Sequence, residues 1–452
     1  NTADIQSLSE NSINCIFEDR AGVLWFGTFG AGISIYDPLA HKFELLKHDP
    51  SNPNSLSSNF VWSVFEANDG KVWIGTNNRG INCYDPATGT FIFYEHFAGT
   101  PGSLSSSSVR RVFQDSRGNL WFGTDGGGLN KLNPDGHSFS QFLATPDNPE
   151  TISNNSVRVI YEDKEGMLWI GTREGLNKFN PVTKKFTRYL YVPDDPQSLS
   201  CNFIYSAIYQ DKAGNLWVGT YGGGLNKLNI PEESFSHYRF NSSDPESISD
   251  DIVFSVWEDN DGFLWVGTNS GLNRLDPKTG KFKRFGYSDG LPNEVIYGIL
   301  PENDYTLWLT TNLGISCFNL YDNSFKNFDV SDGLQSNEFN GGAFHKGKSG
   351  KMYFGGVYGL NILDPRKIKP VENTTSVVLT RIDILGKQVK TGEIPGKTAA
   401  GIDYNEVVRQ GDDFYLPQSI PFTTHLKLTY SPPFISFEFP PLNNPPSEKV
   451  NY

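Results

Sequence analysis

One five-residue phrase recurs along this chain and leaves few folds open to it. It reads LWFGT from Leu24, VWIGT from Val72, LWFGT from Leu120, LWIGT from Leu168, and LWVGT from both Leu216 and Leu264; degraded copies, LWLTT from Leu307 and MYFGG from Met352, follow. The aromatic anchors Trp25, Trp73, Trp121, Trp169, Trp217, Trp265, Trp308 and Tyr353 stand 48, 48, 48, 48, 48, 43 and 45 residues apart. A fixed period of this size marks an architecture of repeated supersecondary units. Within each unit the order is constant. In the fourth, an apolar run at 157–161 leads to an acidic, Gly-bearing turn at 162–166, then to Leu168-Trp169-Ile170-Gly171-Thr172. A Gly loop, a run at 176–179, Asn180-Pro181 and an aromatic stretch at 186–189 complete it. These are four short strands with turn residues between them, Asp to bond its own backbone and Gly to supply positive φ. Such a unit cannot bury both faces alone, so units stack about an axis as the blades of a β-propeller. Gly and Pro punctuate each unit too often for a helical solenoid.

Blade number follows from the outermost strand. A Phe lies 17 or 18 residues after the anchor in seven units (Phe43, Phe91, Phe139, Phe186, Phe235, Phe282, Phe325), but the matching position after Tyr353 is Pro370. The last unit therefore lacks a fourth strand of its own. Residues 42–47, the first outer strand in the chain, would supply it and close a seven-bladed ring, leaving 1–38 as three strands of a preceding blade. The alternative is an eight-bladed ring with a three-stranded last blade. The fold expected is thus all-β, a propeller over 39–370, followed at 371–452 by part of an Ig-like β-sandwich. There the period stops and segments such as 376–385 and 426–439 alternate apolar and polar residues.

Composition narrows the function. The 452 residues include 33 Phe, 20 Tyr and 9 Trp, too aromatic for a disordered chain, and no run approaches the roughly 20 apolar residues of a spanning helix. With 38 basic against 51 acidic side chains the net charge is −13. That argues against nucleic acid, polyanions and anionic membrane surfaces as partners, and a neutral ligand fits better. Cys15, Cys83, Cys201 and Cys317 form no CxxC pair, so neither zinc nor a redox motif is indicated and buried thiols are expected. The chain opens on Asn1 with nothing like a signal peptide, which reads as a processed or excised portion.

The unit EDxxGxLWxGTxxGGLNxxDPxTxxFxxY, clearest at 210–238 and 258–285, resembles the two-component regulator propeller repeat. The segment 332–339 followed by Met352-Tyr353-Phe354-Gly355-Gly356 resembles that family's closing blade. The tail, with Val377-Val378-Leu379-Thr380, Leu428-Thr429-Tyr430 and 434–439, resembles the start of the three-tyrosine sandwich domain that follows such propellers. The resemblance implies the periplasmic sensor half of a hybrid two-component system, with an oligosaccharide from polysaccharide breakdown as ligand and no cofactor. It also implies contact with the membrane only through a flanking helix absent here, and a possible homodimer through the sandwich. Related propellers serve as cell-surface or secretion-associated binders, a second reading.

Positions fixed across the repeats are packing; those that vary on the rim are free for function. The tryptophans therefore read as inter-blade packing. Eleven residues before each anchor stand Asn14, Trp62, Arg110, Arg158, Ser206, Phe254, Tyr297 and Gly342, a chemically mixed set. The loops after the anchors differ as well: Asn77 to Gly80, Asp125 to Gly128, Arg173 to Gly175, Tyr221 to Gly224 and Val357 to Gly359. Trp62, Tyr221, Tyr297 and Tyr358 would offer flat faces to sugar rings. Asn78, Arg79, Arg110, Asp125, Arg158 and Arg173 would take hydroxyls or a uronic carboxylate. The GGG runs join strands rather than open helices, which argues against phosphate loops, and no carboxylate cluster suggests calcium or another metal. A propeller lyase or lactonase would gather His or a metal at the axis. Of the seven histidines, His345 alone falls on an inner strand, so no catalytic set is expected.

Overall fold

The computed structural model describes residues 8–18, 24–36, 43–368, 380–395, 403–420, 425–428 and 434–438. Contacts divide the chain into two units, Asp37–Ile368 and a second made of Asn1–Tyr36 with Lys369–Tyr452.

In the first unit seven four-stranded antiparallel sheets succeed one another. Their inner strands are Val61–Glu66, Val109–Gln114, Val157–Glu162, Ile204–Gln210, Val253–Glu258, Gly298–Asn303 and Phe339–Lys346, and we number the blades 1 to 7 in that order. Blade 7 has three strands of its own and takes Glu44–Leu46 as its fourth, antiparallel to Leu360–Leu363 with Leu46 opposite Leu360 and Glu44 opposite Ile362. Its other side meets blade 1. Asn340 Nδ2 donates to the Val61 carbonyl at 2.7 Å, and the Tyr353 hydroxyl and Ser349 amide donate to Glu66 at 2.6 and 2.9 Å. Seven blades thus close the ring, and the eight-bladed alternative does not form.

The seams are where the anchors lie. Trp169 packs among Leu216, Val218, Leu228 and Phe235 of the next blade, Trp217 among Leu264, Val266, Leu275 and Phe282, and Tyr353 among Val72, Ile74 and Tyr84 of blade 1. Trp121, Trp169 and Trp217 are fully buried. Gly171 shows why the phrase continues with Gly: a Cβ there would lie 2.5 Å from Ile204 Cγ2 of blade 4. Four of the indoles also have a polar tether. Trp121, Trp169, Trp217 and Trp265 donate Nε1–H to Asp115, Asp163, Asp211 and Asp259, six residues earlier, at 2.7–2.9 Å. The other oxygen of each carboxylate closes the hairpin turn by accepting the amide four residues on. A second device, not anticipated from the sequence, clasps blade to blade. Gln114, Glu162, Gln210 and Glu258 each accept a turn amide of the preceding blade, and Glu66 does so from blade 7.

Blade 1 breaks the first rule. Ala67 stands where the carboxylate should be, and Trp73 Nε1 is buried without a partner. Ala67→Asp is expected to raise stability by about 1 kcal/mol, since it replaces an orphaned donor with the bond that blades 2 to 5 use; denaturant unfolding of the two proteins measures it.

In the second unit, Ile13–Glu18, Leu24–Thr28 and Ile33–Tyr36 form a separate three-stranded sheet of blade sequence, with Ile16, Phe17 and Ile33 more than half exposed. Arg381–Ile384 pairs with Lys387–Gln388 and Ile435–Glu438. Glu406–Gln410, Asp413–Leu416, Lys390–Thr391 and Lys427–Leu428 make another sheet, with two parallel pairings. Ile382, Ile384, Val407, Phe414 and Leu416 share one core between these two sheets, the pattern of a small sandwich. Much of the tail motif, including 377–379 and 429–430, lies outside the described residues. The expectation of buried thiols is corrected: Cys83 is buried, Cys201 and Cys317 are partly so, and Cys15 is exposed, as is every residue of its strand Ile13–Glu18.

Candidate ligand site at the mouth of the ring

The segments entering the inner strands and the loops between second and third strands meet at one end of the ring, and a buried polar network fixes both. Asn82, Asn130, Asn177, Asn226, Asn273 and Asn361 are fully buried. Their side-chain oxygens accept the amides of Ser57, Ser105, Ser153, Ser200, Ser249 and Gln335 at 2.7–3.1 Å. Neutral amides satisfied in this way hold the rim on a rigid scaffold. The Gly-rich loops belong to the same framework. Gly126 and Gly128 donate their amides to the Asn155 carbonyl at 3.1 and 2.8 Å, which occupies the groups a phosphate would need.

On blades 1 to 3 five of the sequence-selected residues converge. Asp125 Oδ2 lies 3.0 Å from Arg110 Nη2, 3.5 Å from Arg158 Nη2 and 3.8 Å from Arg173 Nη2. Its Oδ1 accepts the Ser156 hydroxyl at 2.5 Å. The Arg110 guanidinium lies over the Trp62 ring at 3.6 Å, and Trp62 Nε1 is held by Asn77 at 2.9 Å. Burial works against the Asp125 carboxylate, but the Ser156 hydroxyl and the guanidiniums hold its pKa below the ordinary value. Arg158, 6% exposed, is pushed down to about 10 by burial first, with Arg110 and Arg173 repelling it against the pull of Asp125. It stays charged at neutral pH.

The other part of the rim is aromatic. Phe203, Tyr205 and Tyr221 lie within 5.2–6.1 Å of one another, Phe254 is 5.4 Å from Tyr205, and Tyr297 is 4.9 Å from Phe254. Phe203 joins the two parts, with Arg158 and Arg173 at 5.7 and 5.9 Å from its ring. Tyr221 and Tyr297 thus belong to one surface with the arginines. Arg79 does not: it faces Glu95 at 3.9 Å. Asn78 is exposed beside it, and Tyr358, 64% exposed, joins neither set.

Phe203, Tyr205, Ser156 and Arg111 were missed by comparing positions eleven before each anchor. In blade 4 the inner strand carries one extra residue: Ile204 opposes Thr220 and Ile208 opposes Val218, so three residues bulge where two do in blade 3. The insertion turns Tyr205 into the mouth and moves Ser206 to bond the Phe254 carbonyl at 2.6 Å. The sequence signal was the apolar residue at thirteen rather than twelve before Trp217. A larger bulge in blade 7 leaves Gly341 facing Tyr205, where a Cβ would come 2.5 Å from the ring.

Beneath the rim, Arg111 donates to the Gly342 carbonyl at 3.2 Å. No salt bridge joins it to an acid among the described residues. His345 stacks on Phe65 at 4.3 Å, and burial, then Arg111, push its pKa down to about 4. Among the described residues no group of three His, Cys, Asp or Glu could hold a metal, and no helix is long and apolar enough to cross a membrane.

Seven four-stranded blades closed in a ring define a β-propeller. Residues 7–30, 55–78, 103–126, 151–174 and 198–222 match the model of the two-component regulator propeller, and the chain is built on that repeat. The solved extracellular domain of the B. thetaiotaomicron protein BT3049, described as a hybrid two-component system, is 30% identical with a TM-score of 0.70, covering 88% of this chain and 50% of that one. That of BT4673 from the same organism is 24% identical with a TM-score of 0.58, covering 86% and 51%. Virginiamycin B lyase from Staphylococcus aureus shares the fold at 16% identity and a TM-score of 0.52, over 71% of this chain and 98% of that one. No curated protein matches the chain. The chain spans about half the length of the two B. thetaiotaomicron domains.

Proposed function

We propose that this chain is part of the extracytoplasmic, periplasmic ligand-sensing region of a hybrid two-component system, and that it binds an oligosaccharide from polysaccharide breakdown at the mouth of the ring. The observation that carries the reading is the joint surface of Trp62, Arg110, Arg158 and Arg173 with Phe203, Tyr205 and Tyr221, set on a scaffold of buried amides. Flat rings accept the faces of pyranoses, and planar guanidiniums accept their oxygens. The likeness to extracellular domains of two-component proteins supports the placement. A bound sugar influences a downstream kinase only through different affinities for two arrangements of the protein.

Calorimetry against a panel of glycan fragments tests this. A saccharide should bind without being converted, and Tyr221→Ala, which removes an exposed ring, should weaken it about tenfold, the equivalent of roughly 1.4 kcal/mol. Product formation by the purified protein would instead make it an enzyme. Binding untouched by Tyr221→Ala would place the site elsewhere.

A further inference from the structure

The chain as a whole is acidic, with a net charge of −13, yet its mouth is not. Three guanidiniums share a single carboxylate, and the salt bridges that join Arg110, Arg158 and Arg173 to described residues all end on Asp125. The Nε atoms of Arg110 and Arg158 are buried and have no hydrogen-bond partner. Arg111 adds a fourth cation below, with its own Nε also unpartnered and a carbonyl as its hydrogen-bond partner. A folded protein tolerates such an excess of buried positive charge when something else completes the balance.

Where the excess sits matters as much as its size. All four arginines come from blades 2 and 3, whereas Tyr205, Tyr221, Phe254 and Tyr297 come from blades 4 to 6. The mouth therefore has a cationic side and an aromatic side, meeting at Phe203. Asp125 shows what the cationic side accepts, since its planar carboxylate already draws three guanidiniums to one oxygen. Arg173, its side chain 53% exposed, is the cation most open to an incoming ligand.

Resting on the proposed sensing role, we infer that the ligand is an acidic oligosaccharide, with a uronate carboxylate held by Arg110, Arg158 and Arg173 beside Asp125 and a neighbouring ring stacked on Tyr221 and Phe203. The overall negative charge, which by itself favours a neutral ligand, then works as a filter. Long polyanions are repelled by the surface while a short acidic fragment meets a local positive field, and contacts of this kind supply specificity and rate of capture.

The test compares matched probes by calorimetry on the whole chain: tetragalacturonate, its uncharged methyl ester, and a hyaluronan tetrasaccharide as a second uronate. At least one uronate should bind. For tetragalacturonate the acid should bind at least tenfold tighter than the ester and lose at least tenfold between 50 and 500 mM NaCl. Arg158→Gln should remove the discrimination. Because Arg158 is buried, the exposed Arg173→Ala serves as a second variant, expected to weaken the acid about fivefold with an unchanged melting temperature. Equal binding of acid and ester, or acid binding indifferent to both substitutions, overturns the inference and leaves the sensing role standing. Tighter binding of a sulfated tetrasaccharide lacking uronate overturns the carboxylate assignment. Failure of every uronate overturns the inference as well, and failure of neutral glycans too would remove the proposed function with it.

Discussion

Asp163→Ala is expected to lower the stability of the ring by about 3 kcal/mol, far more than the replacement of an ordinary surface acid. Asp163 is 5% exposed and accepts three hydrogen bonds at once. Its Oδ2 accepts Trp169 Nε1 at 2.7 Å, and its Oδ1 accepts the amides of Glu165 and Met167 at 3.1 and 2.8 Å. Alanine leaves a buried indole donor and a hairpin turn without acceptors, each costing about 1–3 kcal/mol. The damage spreads because Trp169 is wedged against blade 4, so a tilted ring disturbs two sheets. Asp163→Asn keeps an acceptor and should recover a large part of the loss. Urea denaturation of the two variants measures the difference, and an alanine variant as stable as the parent would mean that the indole tether is dispensable.

Acid is expected to weaken the fold between about pH 6.5 and pH 4 through His345. Its pKa is pushed down to about 4 in the folded chain, by burial first and then by Arg111, from an ordinary 6.5. As pH falls through that window the unfolded chain takes up a proton that the folded chain refuses, so stability drops, by about 3 kcal/mol once both pKa values are passed. Glu66, on which the Tyr353 hydroxyl and the Ser349 amide converge, acts lower. Its burial raises the pKa, but the Ser349 hydroxyl, the Tyr353 hydroxyl and the Ser349 amide together bring it below the ordinary 4.5, so its contribution is lost only as pH falls below about 4.5. His345→Phe should stack on Phe65 and flatten the stability profile between pH 6.5 and 4 while leaving the lower step. An unchanged profile in that variant would assign the acid sensitivity to other groups.

The ring was legible in the sequence because its determinants are periodic. Trp at one fixed place needs a neighbour to cover it, Gly171 needs a blade pressed against it, and the absence of an aromatic near Pro370 pointed to a borrowed strand, which Glu44–Leu46 provides. The mouth was only partly legible, because it is built from departures from the period. Arg110, Arg158 and Trp62 stood out as odd occupants of a repeated position, and Asp125 and Arg173 as odd loop residues. Tyr205 stayed hidden because a one-residue bulge moved it out of the alignment, and Phe203 because it precedes the strand. Arg79 and Tyr358 looked equivalent to true rim residues, yet Arg79 is drawn outward by Glu95 and nothing in blade 7 turns Tyr358 toward the aromatic set. Periodicity identifies what holds the blades together, while chain-specific bulges and pairings decide which rim side chains share a surface.

The most direct test of the account is a crystal structure of the chain with a bound oligosaccharide found by calorimetry. The account predicts the sugar across the ring opening, one pyranose against Tyr221 and Phe203 and its oxygens toward Arg110, Arg158 and Arg173. A sugar seated on the outer strands, with these side chains untouched, would contradict it.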